Sequence, residues 1–411
     1  MTSAWGKLLR RLNTFLAAGA AVAVLAVVAL RWSSESAIHS AGPLAESPEE
    51  VPEVLGEAAT ENWVGARGGG ALTGAVPRLY PRYERSWSSV QETGSLSGPV
   101  VVGARVYAGT DRGEIIGWSL ATGIEEVRIP TRFGPIEAPL LAFQGDLLAG
   151  SLEGHFFRID PRQKSIVWQR LGEAEIHGGA NLVDTAAGPL VVWGDYRNNV
   201  TAVSAMTGEE RWQHVASSYV NGTPSTDGER VVVGSCDARL YILGAADGEM
   251  LHRFDTGAYV PNSPALVDGV AYATNYDGVV VAVTLATGLE RWRTEIGPKG
   301  LMASPSVAAG KVLVAFENGT LVALNQTNGE ILWRQPTSGG YQAGILTDGT
   351  RLLAAGVDGR IRIHDVDSGS PEWSEQAGGA ISVSPAAVGR RLIVVTEAGE
   401  LVVFSALPES P

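Results

Sequence analysis

The side chains able to do chemistry in this 411-residue chain are sparse, and they are spread out rather than clustered. His177, Tyr219, Asn221, Tyr259, Asn262 and Tyr341 supply an imidazole, three phenols and two amides, with Gln342 beside them. Such groups stack and hydrogen-bond, so the chemistry they suit is recognition of a peptide or small ligand. Bond cleavage needs more, and no Ser/His/Asp set or phosphate loop is present. Gly68-Gly69-Gly70 lacks the preceding strand and following helix of a nucleotide loop. The six histidines show no metal-ligand spacing. Asn221, Asn262, Glu137 and Glu175 offer some oxygens to calcium, which takes six to eight. The single cysteine, Cys236, permits no intramolecular disulfide and reads as a small buried filler.

Those residues lie on a recurring unit, clearest at 277–292. The turn pair Asp277-Gly278 opens it, a Val-Val-Val-Ala-Val run follows as a buried strand, and Thr287-Gly288 turns the chain into a strand bearing Trp292. The first glycine of the unit is matched by Gly113, Gly154, Asn198, Ala238, Gly278, Gly319, Gly359 and Gly399, in steps of 41, 44, 40, 40, 41, 40 and 40 residues. About forty residues carrying four short strands is one blade of a β-propeller, and no helix-length amphipathic run interrupts the periods.

The expected fold is therefore all-β: an eight-bladed propeller over 83–407. The last unit stops at 401–405 without its Trp-bearing strand, and an orphan Trp87 stands at the other end of the chain, so 83–88 is expected to close the final blade. Trp87, Trp168, Trp212, Trp292, Trp333 and Trp373 recur at one blade position and are expected to dock each blade on its neighbour. Val127 and His252 replace the indole in two blades. The loops that lead into each blade are expected on the same face as the Asp-Gly turns. Three residues before the proline-equivalent stand Leu96, Ile136, His177, Asn221, Pro261, Met302, Tyr341 and Ser382, expected to ring one mouth of the channel. His177, Tyr219, Asn221, Tyr259, Asn262 and Tyr341 are the candidate binding residues of that mouth.

The unit Ser263-Pro264, Gly269, Asp277-Gly278, Ala286-Thr287-Gly288, Glu290, Trp292 resembles the PQQ-like (quinoprotein-type) propeller repeat, and Ser304-Pro305 and Ser384-Pro385 repeat its opening. Size and blade count are most similar to the BamB-type propellers of outer-membrane assembly. That resemblance implies a non-catalytic scaffold contacting other envelope proteins. Quinoprotein dehydrogenases of the same repeat imply PQQ held with Ca²⁺, but the short inter-blade loops cannot cover such a cofactor and one cysteine excludes their adjacent cysteine pair. The expectation is no enzyme, no metal and no cofactor. A ligand-sensing propeller and a PQQ-dependent dehydrogenase are the alternatives.

Residues 1–34 read as a short cytoplasmic stub and a membrane-spanning signal-anchor: Lys7, Arg10 and Arg11 precede an uncharged run from Leu12 to Leu30. Cleavage after Ala29 is the alternative. The expected location is the inner membrane, single-pass, with the propeller on the periplasmic side. BamB-type lipoproteins carry a cysteine just after the signal, and none stands here. Residues 35–82, acidic at first and then glycine-rich, read as a disordered linker. A net charge of −13 argues against nucleic acid as the main partner.

Overall fold

The structure is a computed structural model that describes residues 62–91, 94–172, 174–297, 299–300 and 303–408. The expected anchor, the linker as far as residue 61 and Met302 lie outside the described residues. Among the described residues no helix is long and apolar enough to cross a membrane.

The described strands form eight four-stranded antiparallel sheets. In seven of them the chain runs through four consecutive strands, so blades 1 to 7 begin at Val100, Leu141, Asn181, Ser225, Ala265, Ser306 and Leu346. Within a blade the second and third strands are buried on both sides, as in Val270–Thr274 and Val279–Thr284. Adjacent blades cover both their faces, so they read as unbroken apolar runs without alternation. The outermost strand, Glu290–Glu295 in blade 5, buries one large residue, Trp292.

Blade 8 closes the ring as expected. Its sheet joins the N-terminal strand Tyr83–Val90 to Glu400–Ala406, with Tyr83 opposite Ala406 and a bulge between Arg85 and Trp87.

The outer-strand tryptophans reach across to the next blade. Trp212 Nε1 donates to Ala245 O at 3.1 Å and Trp292 Nε1 to Gln326 O at 3.0 Å; Trp87, Trp168 and Trp333 do the same to Leu120, Ala205 and Val366. Each of these indoles also lies flat on a turn glycine of that blade. A Cβ built on Gly329 would come within 2.5 Å of the Trp292 ring, so indole and glycine are needed together. Where the glycine position is Lys164, the facing residue is Val127 in place of tryptophan. His252 keeps the hydrogen bond, to Ala286 O, over Gly288. Trp373 faces the closing strand instead and packs on Tyr83 at 5.8 Å.

The segment 62–82 differs from the expected linker: it is ordered against the propeller. The innermost strand of each blade turns an unpaired edge toward the channel axis, and such edges need partners. The segment supplies them blade by blade. Trp63 pairs with Val101, Val64 O accepts from Ala142 N, and Gly70 exchanges hydrogen bonds with the Asn181 side chain. Gly70 O, Ala71 O, Thr73 O and Gly74 O then accept from Thr226, Leu266, Val307 and Thr347. Blades 1 to 7 are thus met in order, and Trp63, Val76, Leu79 and Tyr80 join the core. Glycine makes the tight passage feasible: at Gly74, φ is +68° and a Cβ would stand 2.4 Å from Ile345 O. A composition that looks too polar and glycine-rich to fold by itself is ordered by edges it did not have to build.

Candidate functional site

Two sets of loops share one face of the ring. The loop entering a blade is fastened to the turn between that blade's second and third strands by one repeated hydrogen bond. Tyr276 N donates to Tyr259 O at 2.8 Å, Cys236 N to Tyr219 O at 3.0 Å, Tyr196 N to Glu175 O at 3.1 Å and Val357 N to Gly340 O at 2.8 Å. The next residue of each loop turns inward and is buried as an apolar anchor: Ile176, Val220 and Val260 in blades 3 to 5.

Over blades 3 to 5 this face is aromatic. His177 stacks on Tyr196 with ring centres 4.2 Å apart, and Tyr196 stacks on Tyr219 at 4.9 Å and 9°. Tyr196 Oη donates to Asn221 Oδ1 at 3.2 Å, and Glu175 Oε2 lies 3.1 Å from His177 Nε2. Beside them Tyr259 and Tyr276 meet at 6.3 Å. Tyr219, Tyr259 and Tyr276 are 49%, 58% and 41% exposed, while Asn262 is held inward by a 2.9 Å bond from its Nδ2 to Thr274 Oγ1. Burial, and next the neighbouring Asp237, push the pKa of the half-buried Cys236 thiol upward.

Tyr196 and Tyr276 were not among the sequence-derived candidates. Both stand two residues before the turn position of the repeat, Asn198 and Gly278, and reading that column would have found them.

Tyr341 is a correction. It is fully buried, its hydroxyl lies 2.7 Å from Thr337 Oγ1, and burial raises its pKa. Tyr341 N donates to Phe316 O as Val260 N does to Ser235 O, so it fills the apolar anchor position. Blade 7 has no proline to count from, and the position taken as its equivalent, Gly344, matches Ser263 instead: both N–H groups donate to a serine Oγ of the next blade. Counting three back from it therefore falls one residue early. Pro99 and Pro139 stand in the same serine column, so Leu96 and Ile136 are likewise buried anchors and not rim residues. Nearby, Arg362 and Asp358 are paired and Gln342 Nε2 donates to Glu317 Oε1, so this arc presents satisfied polar groups.

Inside the rim lies a funnel of about 250 Å³. His177, Asn221, Pro261, Asn262, Gln342 and Ser382 line its wall, and Trp63, Gly65, Ala66 and Arg67 of the inner segment close it below. Of the four oxygen donors named for calcium, only Asn221 and Asn262 reach the funnel, and Asn221 Oδ1 already accepts from Tyr196. Among the described residues no group of three or more His, Cys, Asp or Glu is placed to hold a metal. These residues do not fit a calcium-held quinone.

A family model described as outer membrane protein assembly factor BamB matches residues 74–218, 153–304 and 276–407. The chain is 28% identical over 206 residues to the outer membrane protein assembly factor BamB of Burkholderia pseudomallei (strain K96243), covering 46% of this chain and 54% of that protein. To the BamB of Yersinia pestis it is 26% identical over 217 residues, 46% of this chain and 55% of the other. The chain thus spans about half the length of the curated relatives it matches. Crystallographic BamB from Moraxella catarrhalis superposes with a TM-score of 0.66 at 18% identity, over 79% of this chain and 100% of that one. Quinohemoprotein alcohol dehydrogenase from Comamonas testosteroni gives 0.69 at 13% identity, over 86% and 82%. At these identities the two structures share the fold and nothing more specific.

Proposed function

The chain belongs to the family described as outer membrane protein assembly factor BamB, and from that premise we propose that it is a non-catalytic docking platform for another envelope protein, contributing to outer-membrane protein assembly. The carrying observation is the exposed aromatic patch of Tyr219, Tyr259 and Tyr276 on one face of an otherwise regular ring. Aromatic rings offer large contact area with few bonds to freeze, and they are enriched among residues that dominate interfaces. His177 and Asn221 belong to the same patch and are held in place by stacking and by the Tyr196 hydroxyl. Docking of this kind needs neither metal nor cofactor. Periplasmic exposure of the propeller, with membrane attachment through residues 1–34, completes the reading.

The test is crosslinking in intact cells with a photoreactive residue at Tyr219, Tyr259 or Tyr276. One envelope protein should be trapped at all three positions. Changing the three tyrosines together to alanine should abolish trapping from a probe at Asn262 and leave the melting temperature almost unchanged. Trapping that survives the triple change places the docking face elsewhere. Dye reduction that depends on added PQQ and an alcohol or sugar would overturn the non-catalytic reading altogether.

A further inference from the structure

The funnel floor carries a cation with no counter-charge among the described residues. Arg67 is 5% exposed, and its Nη2 donates to Pro305 O and, at 2.7 Å, to Ser306 Oγ. Its Nε and Nη1 are buried and have no acceptor among the described residues. Burial alone shifts its pKa, down to about 9, so the side chain still carries its charge at neutral pH. A buried charge is costly unless something pairs with it. Aspartate and glutamate are absent from the described residues lining the funnel.

The wall just above is built to donate. Ser263 Oγ accepts from Thr223 N at 2.9 Å, Ser304 Oγ from Ser263 N at 3.2 Å and Ser384 Oγ from Gly344 N at 2.9 Å. Each hydroxyl is thereby anchored as an acceptor from the preceding blade; all three serines line the funnel, and a hydroxyl that accepts still has one O–H to give. Ser306 Oγ, by contrast, spends its proton on Ile345 O. The serine side of the inner ring and the guanidinium beneath it therefore share one polarity.

We propose that the funnel floor is a binding site for a small oxyanion, a carboxylate or phosphate group, paired with Arg67 and hydrogen-bonded by Ser263, Ser304 and Ser384. The oxyanion comes either from a free small molecule or from the C-terminus of a peptide entering the mouth. The exposed tyrosines of the docking patch do not line the site, although His177 and Asn221 border both.

Calorimetric titration in chloride-free buffer at fixed ionic strength tests this, using acetate, succinate, inorganic phosphate, and two short peptides that differ only in a free or amidated C-terminus. At least one probe should bind saturably with one site per chain. Arg67→Met should weaken that binding on the order of tenfold or more, as loss of a charge-assisted hydrogen bond does. Its melting temperature without anion should equal or exceed that of the parent, because an unpaired buried charge has been removed. Should Arg67→Met fold poorly, the double change S304A/S384A keeps the charge and should still weaken binding several-fold. Binding of the free-ended peptide alone identifies a terminal carboxylate as the source, whereas binding of the small anions identifies a free one; both support the site. Absence of saturable binding by every probe, or equal binding by the parent and both variants, overturns it.

Discussion

The two sides of the central channel solve opposite problems. The mouth is made of loops whose side chains change from blade to blade, and over blades 3 to 5 it leaves Tyr219, Tyr259 and Tyr276 in solvent. The inner arc of 62–76 meets seven successive blades mainly through backbone N–H and C=O groups, with the side chains of Asn62, Arg67 and Asn181 adding bonds at blades 1, 6 and 3. A backbone contact can repeat in every blade whatever the sequence does, so it suits holding the ring. A side-chain contact can differ in each blade, so it suits recognition. On the proposed function, recognition and stability are thus drawn from different kinds of group, and changes at the two sides should have different signatures.

The largest expected effect is removal of the arc. Deleting 62–76 strips Trp63 and Val76 from the core and leaves seven inner edges unpaired; at about 1.5–3 kcal/mol per buried large side chain, the melting temperature should fall by roughly 5–10 °C. A chain cut at residue 61 should melt like the parent. An unchanged melting temperature after deleting 62–76 would break the comparison, because the arc would then be an ornament.

Second comes blade docking. Trp292→Ala removes a buried indole, its bond to Gln326 O and its cover over Gly329, and should cost about 3–5 kcal/mol in denaturant unfolding. Tyr259→Ala, equally aromatic but exposed, should stay within about 0.5 kcal/mol. Similar costs for the two would erase the distinction between structural and recognition aromatics.

Smallest is a pH effect. Burial pushes the His364 imidazole below its ordinary value, against a partial opposing pull from its 2.9 Å contact with Gly369 O. The unfolded imidazole, titrating near ~6.5, then binds a proton that the folded one resists. This contribution to stability is complete above that value and is lost as the pH falls below it. Thermal melts between about pH 7 and pH 5 should therefore decline more steeply for the parent than for His364→Gln. Parallel declines would show that the slope comes from other groups.

How far the sequence could be read follows from the same division. Blade number, the closing strand at Tyr83–Val90 and the exposed positions of Tyr219 and Tyr259 were legible, because turn glycines, β-branched runs and indoles repeat at fixed spacing. Tyr341 was misplaced because one residue of slip in a loop without proline exchanges a rim position for a buried anchor. Tyr196 sits in the column two residues before the turn position, outside the entering loops, and its stacking on Tyr219 of the next blade exists only in the closed ring.

By itself the sequence determined the local alphabet of this protein: which residues turn, which run buried, and where an indole must meet a glycine. Each of those depends on residues close in the chain or one period apart, so periodicity carries them. The tertiary structure alone decided what becomes of 62–82 and of Arg67. Those residues owe their order to the inner edges of seven blades as far as 273 positions away, as in the Val76–Thr347 and Gly74–Thr347 main-chain bonds spanning 271 and 273 positions. No local composition signals such a debt, because the groups that satisfy the segment exist only once the ring has closed.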